Sequence, residues 1–166
     1  EHTELNGYLN EVKNLLAIHS DLFKELEETY DLIISNPWFI DIEQGGLEEI
    51  PAIFQHLNDF LDPNGIFTII LTSYVKNGRD LGREFISNYV VENQANASFY
   101  TLGKSINLTY YNKFLENSIS HTVDYYVKIK LNGTGEIEVI PSSVLRRLRD
   151  FGFIKFYKMI YYLIKK

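Results

Sequence analysis

The sequence predicts an α/β fold with a parallel sheet, on three observations. Asp31-Leu32-Ile33-Ile34-Ser35 is a short apolar run that stops at Asn36-Pro37, the mark of a central strand buried on both faces. Within 47–61, Ile50, Ile53, Phe54, Leu57, Phe60 and Leu61 recur at helical spacing, with Pro51 near the first turn, where proline is tolerated. Asp62-Pro63-Asn64-Gly65 then turns the chain into Ile66–Leu71, a second apolar run. Strand, helix, turn and strand in that order imply parallel pairing through a right-handed crossover.

The other elements follow the same rules. Leu5, Leu9 and Val12 give a helix over about 3–13, weakened by Gly7. Leu15–His19 reads as a strand with Asp21 at its carboxyl end, and 22–29 as a connection of one helical turn at most. Gly78–Glu92 reads as a helix with Leu81, Phe85, Tyr89 and Val90 on one side. Residues 93–121, rich in Asn, Ser and Tyr, carry no clear period. Val123–Leu131 and Gly135–Ile140 alternate around Asn132-Gly133-Thr134, which predicts a β-hairpin. A helix over Ser142–Phe151, ended by Gly152, and a strand over Ile154–Ile164 close the chain.

The chain has 166 residues and 45% apolar residues, enough for one domain with a real core rather than a disordered segment. It has no cysteine, which excludes disulfides, thiolate metal sites and a cysteine nucleophile and is compatible with a cytoplasmic protein. No run reaches the ~18–20 apolar residues of a membrane span, so no membrane partner is expected. The net charge of −6 argues against a dedicated nucleic-acid binder. Arg146, Arg147, Arg149, Lys155 and Lys158 form a local basic cluster that could hold phosphate, although such runs are more often a solvated helix face. The four histidines lack metal-ligand spacing, so no metal site is expected.

Chemistry concentrates at Asn36-Pro37-Trp38-Phe39. Pro37 cannot donate to a strand ladder, so the strand ends at Asn36 and leaves a carboxamide and two aromatic rings at its carboxyl end. Ligands of open α/β sheets bind at such ends. A carboxamide oxygen accepts from an amino group, and flat rings stack on flat substrates. The plain alternative is that Asn-Pro merely stops a strand.

These residues resemble a known family. Asp31 to Phe39 is similar to the Asn-Pro-Pro-aromatic motif (NPPY-like) of class I S-adenosylmethionine-dependent methyltransferases that modify planar amino groups. Ser20-Asp21-Leu22-Phe23 is similar to the Gly-Asp-Leu-Phe of the release-factor and ribosomal-protein glutamine methyltransferases and their nucleic-acid-modifying relatives. Phe60 to Gly65 is similar to the family's turn before its fifth strand. Trp38 stands in place of the second proline, and the family's glycine-rich cofactor motif is absent.

The resemblance implies a Rossmann-like methyltransferase sheet, incomplete at its front. It implies S-adenosylmethionine as cofactor, with Asp21, Asn36 and Glu1 as its contacts. It makes Asn36 and Pro37 the catalytic acceptors for the target amino group, and Trp38 and Phe39 the substrate-stacking rings. The whole of 1–166 then reads as a partial methyltransferase domain. Residues 1–75 hold the core motifs, 76–122 a substrate-recognition insertion, and 123–166 the C-terminal strands and helix. The first two strands and the glycine-rich loop are expected in a missing N-terminal segment of the same protein. The expected function is methyl transfer to a planar nitrogen of a nucleic-acid base or a protein glutamine. The alternative is a catalytically inactive methyltransferase-like subunit that binds a partner. Either way, the isolated chain is expected to bind the cofactor poorly.

Overall fold

A computed structural model describes residues 16, 18–37, 49–105 and 119–141. The elements run β1 (Tyr30–Ser35), α1 (Glu49–Phe60), β2 (Leu61–Lys76), β3 (Arg79–Asp80), α2 (Leu81–Glu92), β4 (Asn96–Ser105), β5 (Ile119–Lys130) and β6 (Ile137–Ile140). They form one sheet in the order β1-β2-β5-β4-β6, with β3 on β2. The α/β class holds: β1 and β2 lie parallel, with Leu32 to Ser35 opposite Ile66 to Ile69, and α1 connects them.

Alternation and helical period meet in one core. Phe67, Ile69 and Leu71 of β2, Val127 and Ile129 of β5 and Phe99 of β4 share one sheet face and are buried. Helix α1 lays Ile50, Ile53, Phe54 and Leu57 on that face, and α2 adds Ile86 and Val90. Phe54 is central, with its ring edge-on to Phe67, Phe85 and Tyr89 at centroid distances of 5.5, 5.7 and 4.7 Å. Asp80 caps α2 by accepting from the Arg83 N–H at 3.1 Å. The same carboxylate accepts from the Ser73 hydroxyl and, at 2.6 Å, from the Tyr125 hydroxyl.

Several expectations are corrected. The strand over Leu15–His19 does not form among the described residues: 16 and 18–20 are irregular, and Leu16 is 79% exposed. A strand needs a neighbour for its ladder, and β1 pairs only with β2 among the described strands. Among the described strands β1 therefore stands at the end of the order, and it is not buried on both faces: Ile34 is 64% exposed.

The hairpin of Val123–Leu131 with Gly135–Ile140 is also corrected. Both strands exist, but β4 lies between them: β5 pairs with it antiparallel and β6 parallel. The Asn132-Gly133 loop carries the chain across the start of β4. There Gly133 and Gly135 donate to the Gln94 and Ala95 carbonyls at 2.6 and 2.9 Å, and the Asn96 side chain accepts from the Thr134 N–H at 2.8 Å. A Cβ on Gly133 would collide with the Asn96 side chain.

Asp62–Gly65 does turn, as a bulge inside the paired region. Tyr30 faces Leu61 and Leu32 faces Ile66, so four residues oppose Asp31 alone. The helix expected from Gly78 starts at Leu81. Asn77 and Gly78, both at positive φ (52° and 79°), make a two-residue hairpin turn that pairs β3 with the end of β2. The expected helix over 3–13, the helix over Ser142–Phe151, the strand over Ile154–Ile164 and the basic cluster lie outside the described residues.

Candidate functional site

The ladder between β1 and β2 stops at Ser35 opposite Ile69. Asn36 follows with its side chain exposed, and Pro37 is half-buried. A carboxamide thus stands in solvent at the carboxyl end of a parallel strand, where the proline bars further pairing. It offers one acceptor oxygen and two N–H donors to an incoming amino group. Trp38, Phe39 and Glu1 lie outside the described residues.

Asp21 sits in a compact turn. The Ser20 hydroxyl donates to the Leu22 carbonyl at 2.9 Å and accepts from the Glu25 N–H at 3.1 Å. Leu22 takes a positive φ of 56°, and the Leu26 N–H donates to the Phe23 carbonyl at 3.0 Å. Phe23 anchors the turn by stacking on Phe60, with centroids 5.0 Å apart and planes 5° from parallel. The Asp21 carboxylate is exposed and ion-paired with Lys24. The hydrogen bond from Lys24, then its charge, hold the Asp21 carboxyl below the usual carboxylate range, so it is an ionised acceptor at neutral pH. Both partners are exposed, so a ligand amino group can take the place of Lys24 at small cost.

The structure does not gather these groups in one contact. Phe60 precedes Leu61, the partner of Tyr30, so the Asp21 turn is anchored beside the amino end of β1. Asn36 emerges at the other end. Six strand residues at ~3.3 Å each set the two ends roughly 20 Å apart. The Phe23 anchor was missed from sequence, although an aromatic two residues past Asp21 and another closing a helix were its signal.

No helix among the described residues is long and apolar enough to cross a membrane. Among the same residues no group of three or more His, Asp or Glu is placed to hold a metal ion.

The model of the methyltransferase small domain family matches residues 1–101. The chain belongs to that family. A ribosomal protein uL3 glutamine methyltransferase of Neisseria meningitidis serogroup A is 51% identical over 44 residues, which are 26% of this chain and 14% of that protein. The protein of the same description from Neisseria gonorrhoeae is 46% identical over 44 residues, with the same coverage. The chain therefore spans about a seventh of the length of these relatives.

Proposed function

We propose that this chain is the methyl-acceptor side of an S-adenosylmethionine-dependent methyltransferase that acts on a planar amino nitrogen. The observation that carries the reading is Asn36: an exposed carboxamide followed by proline at the carboxyl end of a parallel strand, within a methyltransferase small domain. The nitrogen of an amide or aryl amine is a poor nucleophile because its lone pair is delocalised. The Asn36 carboxamide oxygen and the Pro37 carbonyl accept its two N–H bonds, draw it toward a tetrahedral shape and aim the lone pair. Positioning of this kind supplies much of the rate with no strong base. Phe39 and Trp38 are assigned to stack on the planar group and exclude water. The cofactor, when bound, supplies the electrophilic methyl group. Asp21 accepts from its adenine amino group in this reading, and Glu1 from its ribose.

Similarity to uL3 glutamine methyltransferases supports a protein glutamine over a nucleic-acid base as acceptor, and so does the net charge of −6. In this reading the stretch 76–122 contributes to acceptor recognition, and the protein works in the cytoplasm. A second reading has its own observation. Leu32 and Ile34 are 39% and 64% exposed along β1, a surface suited to an inactive methyltransferase-like subunit that docks a partner. Calorimetry of the intact protein with S-adenosylmethionine separates the two. Saturable binding, with label transferred to a glutamine-bearing protein, supports methyl transfer. No binding by the intact protein favours the docking subunit.

A further inference from the structure

A wide cleft of about 600 Å³ opens over β5, β4 and β6. Strand alternation builds it. Val127, Ile129, Ala97 and Phe99 point into the helix-covered core, so Lys128, Lys130, Asn96 and Ser98 point to the other face. Register then sets them in rows. Lys130 stands opposite Asn96, and Lys128 opposite Ser98, whose other neighbour is Glu138. The row runs ammonium, small hydroxyl, carboxylate. Glu136 extends the acidic side, with its N–H donating to Asn96 Oδ1 at 3.1 Å. That oxygen also serves the Thr134 N–H, which ties Asn96 to the loop before β6. Tyr100 closes one end, its ring tilted against Tyr126 with centroids 5.6 Å apart.

We propose that this cleft is a ligand site for a small zwitterion, an amino acid or dipeptide, with its carboxylate toward Lys128 and Lys130 on β5 and its ammonium toward Glu136 and Glu138 on β6. A simple anion meets the two carboxylates and a simple cation meets the two ammonium groups, so only a dipolar ligand matches both sides. β5 and β6 flank β4 and are therefore ~10 Å apart. One or two extended residues at ~3.5 Å each, with a hydrogen bond at either end, span that gap. Ser98 is the small floor that leaves room for them. Lys128 is only 8% exposed. Desolvation, then the charge of Lys130, hold its ammonium below the usual lysine range. Three strand spacings, ~14 Å, separate β4 from β1, so this site is distinct from Asn36 and stands whether or not the methyl-transfer reading does.

Calorimetric titration of the intact protein with glycylglycine, N-acetylglycine and glycinamide tests it. Lys130 and Glu138 are exposed, so Lys130→Gln and Glu138→Gln keep the fold, which circular dichroism checks. Glycylglycine is expected to bind saturably with millimolar or tighter Kd. Each capped analogue and each variant is expected to weaken binding about threefold to tenfold. No saturable binding, equal binding of all three probes, or unchanged affinity in both variants overturns the proposal.

Discussion

Single atoms decide how α2 meets the sheet. Gly82 sits in the first turn of α2, and a Cβ there would lie 2.8 Å from Ser73 Oγ and 3.2 Å from Leu71 Cδ1. Ser73 Oγ accepts from the Gly82 N–H at 2.8 Å while donating to Asp80. The absence of a side chain is therefore what lets the capping carboxylate reach Ser73, Arg83 N–H and the Tyr125 hydroxyl together. Gly82→Ala would gain helix propensity on an exposed surface, by ~1 kcal/mol. Here the overlap wins, and the variant is expected to lose about 1–3 kcal/mol. Urea denaturation reads this directly, and a variant as stable as the parent would show that Ser73 moves aside freely. Asn36, Pro37 and Asp21 belong to this scale too. That β1 stops before Asn36-Pro37 was legible, because a proline bars further pairing, whereas the strand expected before Asp21 does not form among the described residues. The Lys24 and Phe23 contacts that hold Asp21 were not legible, because they depend on how a short turn settles on α1.

Among the elements, those with a strong period were legible and those defined by a partner were not. Helix α1 was expected over 47–61 and spans Glu49–Phe60, because its apolar stripe faces the core whatever the neighbours do. β2 was expected over Ile66–Leu71 and spans Leu61–Lys76: its polar flank is held by Asp124 of β5 on Thr72 and by Asp80, past the Asn77-Gly78 turn, on Ser73. β4 was not read at all. Ala97 and Phe99 alternate inward, but Asn96, Ser98 and Thr101 hide that period in a polar composition. β5 and β6 read as a hairpin because Asn-Gly and alternation are local signals, whereas the insertion of β4 between them is a nonlocal one. The true two-residue hairpin, at Asn77-Gly78, lay at the start of an expected helix. The core at Phe54 is the junction of the legible parts. Phe54→Ala removes a ring that touches three others and is expected to cost about 3–5 kcal/mol. A smaller loss in chemical denaturation, under about 1 kcal/mol, would mean that α1 is not seated on the sheet as described.

At the scale of the whole molecule, burial leaves a titration signature. Tyr89, Tyr125 and Tyr126 all have phenols pushed up to about 12, chiefly by burial. In the unfolded chain a tyrosine ionises near pH 10. Between pH 10 and about 12 the unfolded state thus binds fewer protons than the native state, and stability falls as pH rises through that window. Below pH 10 this contribution is fully present. These three are expected to ionise well above pH 10 in an ultraviolet titration, with loss of the fold accompanying them. Uniform ionisation near pH 10 with the fold intact would contradict the packing of β5 and α2.

Methyl transfer also belongs here, since a sheet and a strand end must cooperate. Its chemistry rests on one exposed carboxamide that contributes nothing evident to the core. The most direct measurement is methyl transfer from labelled S-adenosylmethionine by the intact protein and its Asn36→Ala variant, with cofactor affinity and melting temperature measured on both. The account predicts a fall in kcat of about a hundredfold or more, as for loss of one positioned hydrogen-bonding group in an active site, with melting temperature unchanged. A variant that transfers methyl groups at the parent rate would contradict it.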